Sequence, residues 1–301
     1  MFALTLKVKE IAEQNGILIK EDSIKLNESG LDFQVAHAED VQGNNWILRL
    51  PRREDAWLKT ELEKNVLETL HQHVFFEIPV WSVYTKELIA YKQLSGIPAV
   101  TFDLASQKNK WQLDEENVPQ SFNESLGRVL AELHQFPKEK LTHLDLKVHT
   151  AAEARATMVS RMNKVKEKFG VGEALWERWQ TWIANDEMWP KETALIHGDV
   201  HAGHTLINDN KEVTGLIDWT EAAVTDPSKD FMGHYVVFGE AALEQLIAFY
   251  HQAGGITWPF MKEHIIELTT TSAIDLAEFA EQSGSKEYEQ LAIDGLGVSG
   301  E

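Results

Sequence analysis

The sequence predicts an α+β fold with two unequal lobes, a β-rich lobe at 1–94 and a larger, mainly helical lobe at 95–301. Three observations predict this arrangement. Apolar and polar residues alternate over much of the first lobe, the period becomes helical between 54 and 73, and helical periodicity dominates from about residue 121 onward. At 301 residues the chain is long enough for two such lobes.

The first lobe is predicted to consist of short strands between turn residues. Turns at 27–30 and 42–45 separate the first three strands, and Pro51 ends the third. The segment 54–73 carries its apolar residues on one helical face. Several strands and one helix in this order predict a small antiparallel sheet. The predicted strands are 23–26, 31–36, 46–50, 79–84 and 88–94.

The second lobe is predicted to be helical, with one hairpin. The hairpin covers 204–218 and turns at 208–211, where Asn and Asp residues cluster. The polar segment 107–119 is expected to be a loop. The predicted helices lie near 121–136, 151–169, 173–186, 228–237, 239–253 and 259–282.

Charge and composition exclude several functions. The net charge of −20, from 28 basic and 48 acidic residues, repels phosphate backbones, so we expect no nucleic-acid partner and favour a cationic small molecule. The absence of cysteine rules out disulfides and thiolate chemistry and fits a reducing cytoplasm. We find neither a signal-peptide core nor a membrane-length apolar run, and no heptad stripe. We therefore expect a cytoplasmic monomer with no membrane partner.

The segment from His197 to Trp219 carries the most chemical information. Asp199 follows an apolar strand end and a glycine, His204 comes five residues later, and Asp218 ends the next apolar strand. A catalytic-loop aspartate followed by two such metal ligands is typical of kinase-type phosphotransferases. We expect Asp199 to accept the proton of an attacking hydroxyl, and His204 and Asp218 to hold Mg²⁺. The pattern predicts phosphorylation of a small alcohol.

Each of these residues also has a purely structural interpretation. A Gly-Asp pair often caps a turn, a single histidine is more often structural than a ligand, and Asp218 could pair with an arginine. Magnesium also prefers oxygen ligands to imidazole nitrogen. The fixed spacing of the three residues is what favours the catalytic interpretation.

Basic residues on the third strand predict a nucleotide site in the first lobe. Arg49 is expected to grip the phosphates and to pair with Glu63 on the following helix. Ser29 and Gly30 lie in the first turn, where backbone amides could contact phosphates. Arg52 and Arg53 are expected to be solvated surface charges.

Four motifs together resemble a known family. They are residues 27–33, residues 48–53, the segment containing His197, Gly198, Asp199 and His204, and residues 217–222. The chain resembles the macrolide 2′-phosphotransferases of the aminoglycoside phosphotransferase superfamily, and the similarity extends nearly end to end. His204 in place of asparagine and Arg49 in place of lysine are typical of the macrolide branch.

The resemblance implies a bilobal protein-kinase-like fold and a specific reaction. The γ-phosphoryl group of GTP or ATP would be transferred to the 2′-hydroxyl of the desosamine sugar of a macrolide antibiotic. By position, Asp199 would be the base, His204 and Asp218 the Mg²⁺ ligands, and Arg49 with Glu63 the phosphate clamp. The hinge backbone that would meet the purine comprises Ala90, Tyr91, Lys92 and Gln93.

A macrolide is large and apolar with one ammonium group, so its site needs apolar helix faces and carboxylates. Ordinary helix packing explains each candidate equally well, and Asp230 could instead brace the catalytic loop. The candidate substrate residues are Asp230, Phe231, Tyr235, Ile274, Asp275, Glu278 and Phe279.

Three alternatives remain open. The chain could phosphorylate an aminoglycoside or another small alcohol, although its helices mix carboxylates with broad apolar surface. The histidines and Asp199 at 197–204 could form a transition-metal hydrolase site, although such sites need further ligands. A nucleotide-binding scaffold without catalysis is the third. The sequence does not decide between GTP and ATP, or which macrolide rings are accepted.

Overall fold

In the computed structural model, which describes residues 2–27, 32–53, 56–57, 60–103 and 106–298, the chain packs into two compact units. The division predicted from the sequence, at residue 94, concerns functional lobes and stays a prediction. The first unit comprises Met1–Leu113, Glu139–Asp145 and Gly203–Ala222, and the second comprises Asp114–Lys138, Leu146–Ala202 and Ala223–Glu301.

The first unit is built on a five-stranded antiparallel sheet, as the alternation predicts. The strands are β1 (Lys25–Asn27), β2 (Phe33–Glu39), β3 (Asn45–Pro51), β4 (Trp81–Tyr84) and β5 (Ile89–Lys92). Their order in the sheet is β1-β2-β3-β5-β4, so β3 and β5 lie next to each other. Helix α2, Thr60–Leu70, follows β3 and buries the apolar face expected between 54 and 73.

The N-terminal segment is a helix, α1, Phe2–Gln14, where the sequence indicated strand-like alternation. Apolar residues at 2, 4, 6 and 8 alternate with smaller or polar ones, which imitates a strand. The helix forms because Val8 and Ala12, one turn apart, are both buried against Leu48 and its neighbours in the sheet. Tertiary packing therefore outweighs the local pattern.

Two smaller sheets complete the first unit. Strands β10 (Thr205–Ile207) and β11 (Val213–Leu216) form the predicted hairpin, and β10 also pairs with β6 (Ile97–Pro98). A second hairpin joins β7 (Val100–Asp103) to β8 (Lys108–Trp111), where a polar loop was expected. The residues of β8 are mostly exposed and polar, so no apolar alternation marks the strand in the sequence.

The second unit is mainly helical, as predicted. Strands β9 (Ala194–Ile196) and β12 (Ala223–Thr225) form a short antiparallel pair within it. Its helices are α3 (Gln120–His134), α4 (Ala151–Phe169), α5 (Glu173–Ala184), α6 (Lys229–Gln252), α7 (Met261–Thr269), α8 (Ser272–Ser283) and α9 (Lys286–Gly295). Gly239, at φ +79°, interrupts α6 and explains the predicted division between 237 and 239. The predicted helix 259–282 is two helices, α7 and α8.

An aromatic core holds the later helices of the second unit together. Trp179, Trp182 and Trp189 are at most 4% exposed, and Trp182 stacks on Trp189 with 4.7 Å between ring centroids. His264 joins this core, accepting the Trp182 indole N–H and contacting Asp226 at 2.6 Å. Within the described part of the chain, no helix combines the length and apolar character needed to cross a membrane.

Candidate functional site

Asp199 lies in a tight loop directly after β9 in the second unit. The strand is fully buried, and Gly198 turns the chain at φ +88°, a conformation that favours glycine. His197 is completely buried, and the backbone N–H of Asp199 donates to its Nδ1 at 3.3 Å. The Asp199 side chain is 50% exposed. The loop thus exposes the Asp199 carboxylate to solvent, while the neighbouring His197 is buried.

Asp230, in the first turn of α6, accepts two hydrogen bonds from the backbone of this loop. Its Oδ2 accepts the backbone N–H of His197 at 2.9 Å, and its Oδ1 accepts that of Gly198 at 2.7 Å. The carboxylate is 0% exposed, and burying it would be costly without such donors. The sequence left two roles open for Asp230, which were binding a cation and bracing the catalytic loop. These two hydrogen bonds are of the kind that brace a loop.

Gly233, one turn further along α6, lets the helix backbone touch the loop. A Cβ at this position would lie 2.4 Å from the carbonyl oxygen of Val200 and 2.9 Å from the Cβ of His201. Only glycine permits this approach without displacing one of the two segments. Asp230 and Gly233 together fix the position of the loop relative to α6.

His204 and Asp218 lie at the open end of the β10–β11 hairpin in the first unit. The backbone N–H of Ile217 donates to the carbonyl of His204 at 3.1 Å, which continues the pairing of Thr205 with Leu216. Because partners in an antiparallel pair lie side by side, two residues distant in sequence become neighbours. The hairpin therefore delivers an imidazole and a carboxylate to one point.

Asp218 has φ +67°, an uncommon conformation for a residue with a side chain. Such strain often marks functional sites. The Thr220 hydroxyl donates to Asp218 Oδ1 at 3.0 Å, while Oδ2 lies 3.7 Å from His204 Nε2. Two ligands of one Mg²⁺ at about 2.1 Å lie between about 3 and 4.2 Å apart. The spacing of the two atoms therefore fits a shared ion.

Arg49 on β3 and Glu63 on α2 form a buried ion pair in the same unit. Arg49 Nη1 lies 2.8 Å from Glu63 Oε1, and the guanidinium also lies 4.6 Å from the centroid of the Phe33 ring. Burial alone would lower the pKa of Arg49, but the Glu63 carboxylate outweighs it and raises that pKa. Burial raises the pKa of Glu63, while Arg49 and the backbone of Trp219 oppose the shift.

The remaining nucleotide-site predictions concern a turn and the hinge. Ser29 and Gly30 lie outside the described residues. Ala90 and Tyr91 are paired with strands on both sides, and the pairing with β4 ends at Tyr91. Beyond that point, Lys92 pairs with β3 and the Gln93 N–H donates to Asn45. The backbone of 92–93 therefore pairs with β3 on one side and extends past the end of its pairing with β4 on the other.

The predicted substrate residues fall into different environments. Phe231 and Ile274 are 0% exposed and pack inside the second unit. Asp275 and Glu278 share one partner, Arg161, which lies 2.8 Å from each oxygen of Glu278. Phe279 packs edge-on against Tyr288, and Tyr235 is half-buried. Their roles in substrate binding stay predictions.

His134 contacts Asp230, and the sequence did not suggest this contact. The histidine lies at the end of α3, is 6% exposed, and places Nε2 3.1 Å from Asp230 Oδ2. The two residues are separated by 96 positions, and a histidine at a helix end carries no periodic signal. Only the packing of α3 against α6 reveals the contact.

Comparison with known proteins places these motifs in context. A family model described as the phosphotransferase enzyme family matches residues 23–264. The uncharacterized protein YcbJ of Bacillus subtilis (strain 168) is 38% identical over 296 residues, covering 98% of this chain and 97% of that protein.

Two solved structures are similar over nearly the whole chain. The apoenzyme of macrolide 2′-phosphotransferase MphH from Brachybacterium faecium is 32% identical with a TM-score of 0.89, over 96% of this chain and 97% of that one. A macrolide 2′-phosphotransferase type I is 34% identical with a TM-score of 0.88, over 98% and 97%. These similarities confirm the kinase-like fold and the resemblance predicted from the motifs.

Proposed function

Because the chain belongs to the phosphotransferase enzyme family, we propose that it transfers the γ-phosphoryl group of GTP or ATP to the 2′-hydroxyl of a macrolide. The observation that carries the proposal is the pairing of His204 with Asp218, 3.7 Å apart at the end of one hairpin. A histidine at this position is the departure typical of the macrolide branch. The similarity to two macrolide 2′-phosphotransferases along the whole chain supports the same substrate class.

Asp199 serves as the general base in this proposal. Its half-exposed carboxylate is available to a hydroxyl, while the buried backbone beneath it is held by Asp230. A base must stay within hydrogen-bond reach of the proton it accepts, and a loop fixed at two amides keeps it there. Asp199 accepts the proton as the hydroxyl oxygen attacks the phosphorus and the nucleoside diphosphate leaves.

His204 and Asp218 are the residues that would hold Mg²⁺. When bound, the ion supplies charge neutralisation for the nucleotide phosphates. The hydrogen bond from Thr220 fixes one oxygen of Asp218, so the other faces His204. Arg49 contributes a second cation to the phosphates, and Glu63 keeps its guanidinium in place.

A second candidate function is phosphorylation of an aminoglycoside or another small alcohol by the same residues. The carboxylates Asp275 and Glu278, which could attract several ammonium groups, are already neutralised in part by Arg161. That pairing favours a substrate with one ammonium group. The metal-hydrolase alternative loses one ligand, because His197 is completely buried and receives the Asp199 N–H.

The test is phosphate transfer from Mg-GTP and from Mg-ATP to erythromycin, azithromycin and a sixteen-membered macrolide, followed by mass spectrometry, with kanamycin as the control acceptor. We expect one added phosphate on a macrolide and none on kanamycin. Phosphorylation of kanamycin alone would show that the acceptor is an aminoglycoside and not a macrolide, while the proposed phosphoryl transfer would stand. No transfer to any alcohol would refute the proposal.

Matched variants separate the roles of the two aspartates. Asp199→Asn should abolish transfer and leave Mg-nucleotide binding nearly intact, whereas Asp218→Asn should weaken that binding as well. Asp209→Asn, an exposed aspartate in the turn of the same hairpin, is the control and should behave as wild type. Near-normal turnover by the Asp199 variant would exclude it as the base.

A further inference from the structure

Glu77 lies where three segments of the first unit meet. Its backbone N–H donates to the carbonyl of Thr214 at 2.8 Å, and its carbonyl accepts the N–H of Leu216 at 3.0 Å. This pairing with β11 is parallel and places Glu77 opposite Gly215. A Cβ on Gly215 would lie 2.5 Å from the carbonyl oxygen of Glu77, so the two backbones are in close contact. The loop after α2 is therefore joined to the hairpin that leads to Asp218.

The Glu77 side chain reaches from this pairing to the segment after β5. Its Oε2 accepts the backbone N–H of Ser95 at 2.6 Å, and its Oε1 accepts the Ser95 hydroxyl at 2.7 Å. Hydrogen bonds to an ionised carboxylate are stronger than those between neutral groups, and two of them fix the orientation of both partners. Ser95 follows the hinge residue Gln93 by two positions. The end of the hinge is therefore held close to Glu77.

A second set of contacts holds the same segment against the β10–β11 hairpin. The Thr214 hydroxyl donates to the carbonyl of Ser95 at 3.1 Å. Gly96 has φ +83°, and a Cβ there would lie 2.6 Å from Thr214 Oγ1 and 2.8 Å from the carbonyl oxygen of Ile207. Glycine permits both the conformation and the approach. Ser95 is thus held at its amide by Glu77 and at its carbonyl by Thr214.

The nucleotide of the proposed function spans the two parts that Glu77 joins. Its purine would meet the backbone of 92–93, and its phosphates would lie at the metal ligand Asp218. Phe76, the residue before Glu77, stacks on Trp219, the residue after Asp218, with 6.3 Å between ring centroids. Two halves of a site bind one ligand most tightly when their separation is already that of the ligand, because no further ordering is then required.

We propose that Glu77 is a positioning residue for the nucleotide, which fixes the distance between the hinge backbone and the hairpin that carries Asp218. The inference rests on the proposed function in taking the hinge as the purine site and Asp218 as a metal ligand. Glu77 acts through Ser95 and β11, and not through a contact of its own with the nucleotide. Loss of its carboxylate therefore leaves each half of the site intact and removes their alignment.

The first experiment separates alignment from the strength of each half. Competition with a fluorescent nucleotide measures the affinities of wild type and Glu77→Ala for Mg-GTP, Mg-ATP, the two nucleosides and Mg-tripolyphosphate. We expect the variant to bind the nucleotide that wild type prefers about tenfold more weakly, and the nucleosides and tripolyphosphate within about twofold of wild type. Unchanged nucleotide affinity, or an equal loss for whole nucleotide and fragments, would overturn the proposal.

Two further variants accompany this measurement. Glu77→Gln keeps an oxygen that accepts the Ser95 N–H and adds an NH2 group that can donate to the Ser95 hydroxyl, so its nucleotide affinity should lie within about threefold of wild type. A loss as large as that of the alanine variant would contradict the role given to these hydrogen bonds. Glu87→Ala makes the same change at an exposed glutamate of the same unit, and it should bind all ligands as wild type does.

The second experiment needs no nucleotide, so it decides on Glu77 even if wild type binds none and the proposed function fails. The amides of Gln93 and Ile217 donate to Asn45 and His204, and so are not bonded to Glu77. Their hydrogen exchange should be at least about threefold faster in Glu77→Ala, while the amide of Val41 in the same unit stays unchanged. Exchange equal to wild type at Gln93 and Ile217, or equal acceleration at Val41, would show that Glu77 does not align these two segments.

Discussion

His234, in the middle of α6, is a buried histidine with little compensating hydrogen bonding. It is 3% exposed, and among the described residues neither ring nitrogen has a hydrogen-bond partner. The ring stacks on Phe122 at 6.1 Å and packs against Phe238 at 4.9 Å between centroids. Burial lowers its pKa from 6.5 to about 4, opposed weakly by the backbone of Ala242. The stability of the protein should therefore depend on the charge of this one ring.

The sign and size of the effect follow from proton binding. Between the two pKa values the unfolded chain binds a proton at His234 and the folded chain does not, so acid favours unfolding. The contribution is fully present above the unfolded pKa and is lost as the pH falls toward the folded one. Between about pH 7.5 and about pH 5 the free energy of unfolding should decrease by about 2 kcal/mol through this group alone.

Urea unfolding, followed by far-ultraviolet circular dichroism at the two pH values, measures this contribution. His234→Phe and His234→Leu remove the titrating ring, and both should lose about 2 kcal/mol less than wild type between those pH values. His251→Phe, at an exposed histidine of the same helix, is the control. If wild type and both variants showed the same pH dependence within about 0.5 kcal/mol, His234 would not be a buried neutral group.

Two further predictions concern the residues around the site. Glu63→Gln removes the partner of a buried arginine, so the free energy of unfolding should fall by roughly 3 kcal/mol in urea titrations and nucleotide affinity should drop in calorimetry. The double variant Arg49→Met with Glu63→Leu should regain the stability but not the affinity, and recovery of both would exclude Arg49 from nucleotide binding. Gly233→Ala should displace the Asp199 loop, because its Cβ would meet the Val200 oxygen at 2.4 Å. We expect kcat to fall at least about tenfold with little change in KM for nucleotide, and kinetics equal to wild type would contradict the close packing.

The sequence predicted those features that depend on local pattern and on motif spacing. Alternation and turn residues located the five-stranded sheet, and the hairpin at 204–218 was predicted with its turn. The hairpin prediction also accounts for the proximity of His204 and Asp218, because antiparallel pairing makes them neighbours. The ion pair between Arg49 and Glu63 was predicted from the kinase pattern, in which a basic residue on this strand pairs with a glutamate on the following helix.

Features that depend on tertiary packing escaped prediction. Helix α1 carries a strand-like alternation, and only burial of Val8 and Ala12 against the sheet decides its conformation. The contact between His134 and Asp230 joins residues from two helices with no shared motif. Asp230 was recognised as a candidate, but its choice between cation binding and bracing the loop depends on which donors surround it, which no spacing rule determines.

Arg161 determines how easily mutation could change the charge of one stretch of α8. One guanidinium holds both Asp275 and Glu278, so the local sum of one cation and two carboxylates is a single negative charge. Loss of that arginine in one mutational step would double the local negative charge and release both carboxylates to solvent. The charge of this stretch of α8 therefore depends on one arginine on a different helix, so a single codon change in the gene would alter it.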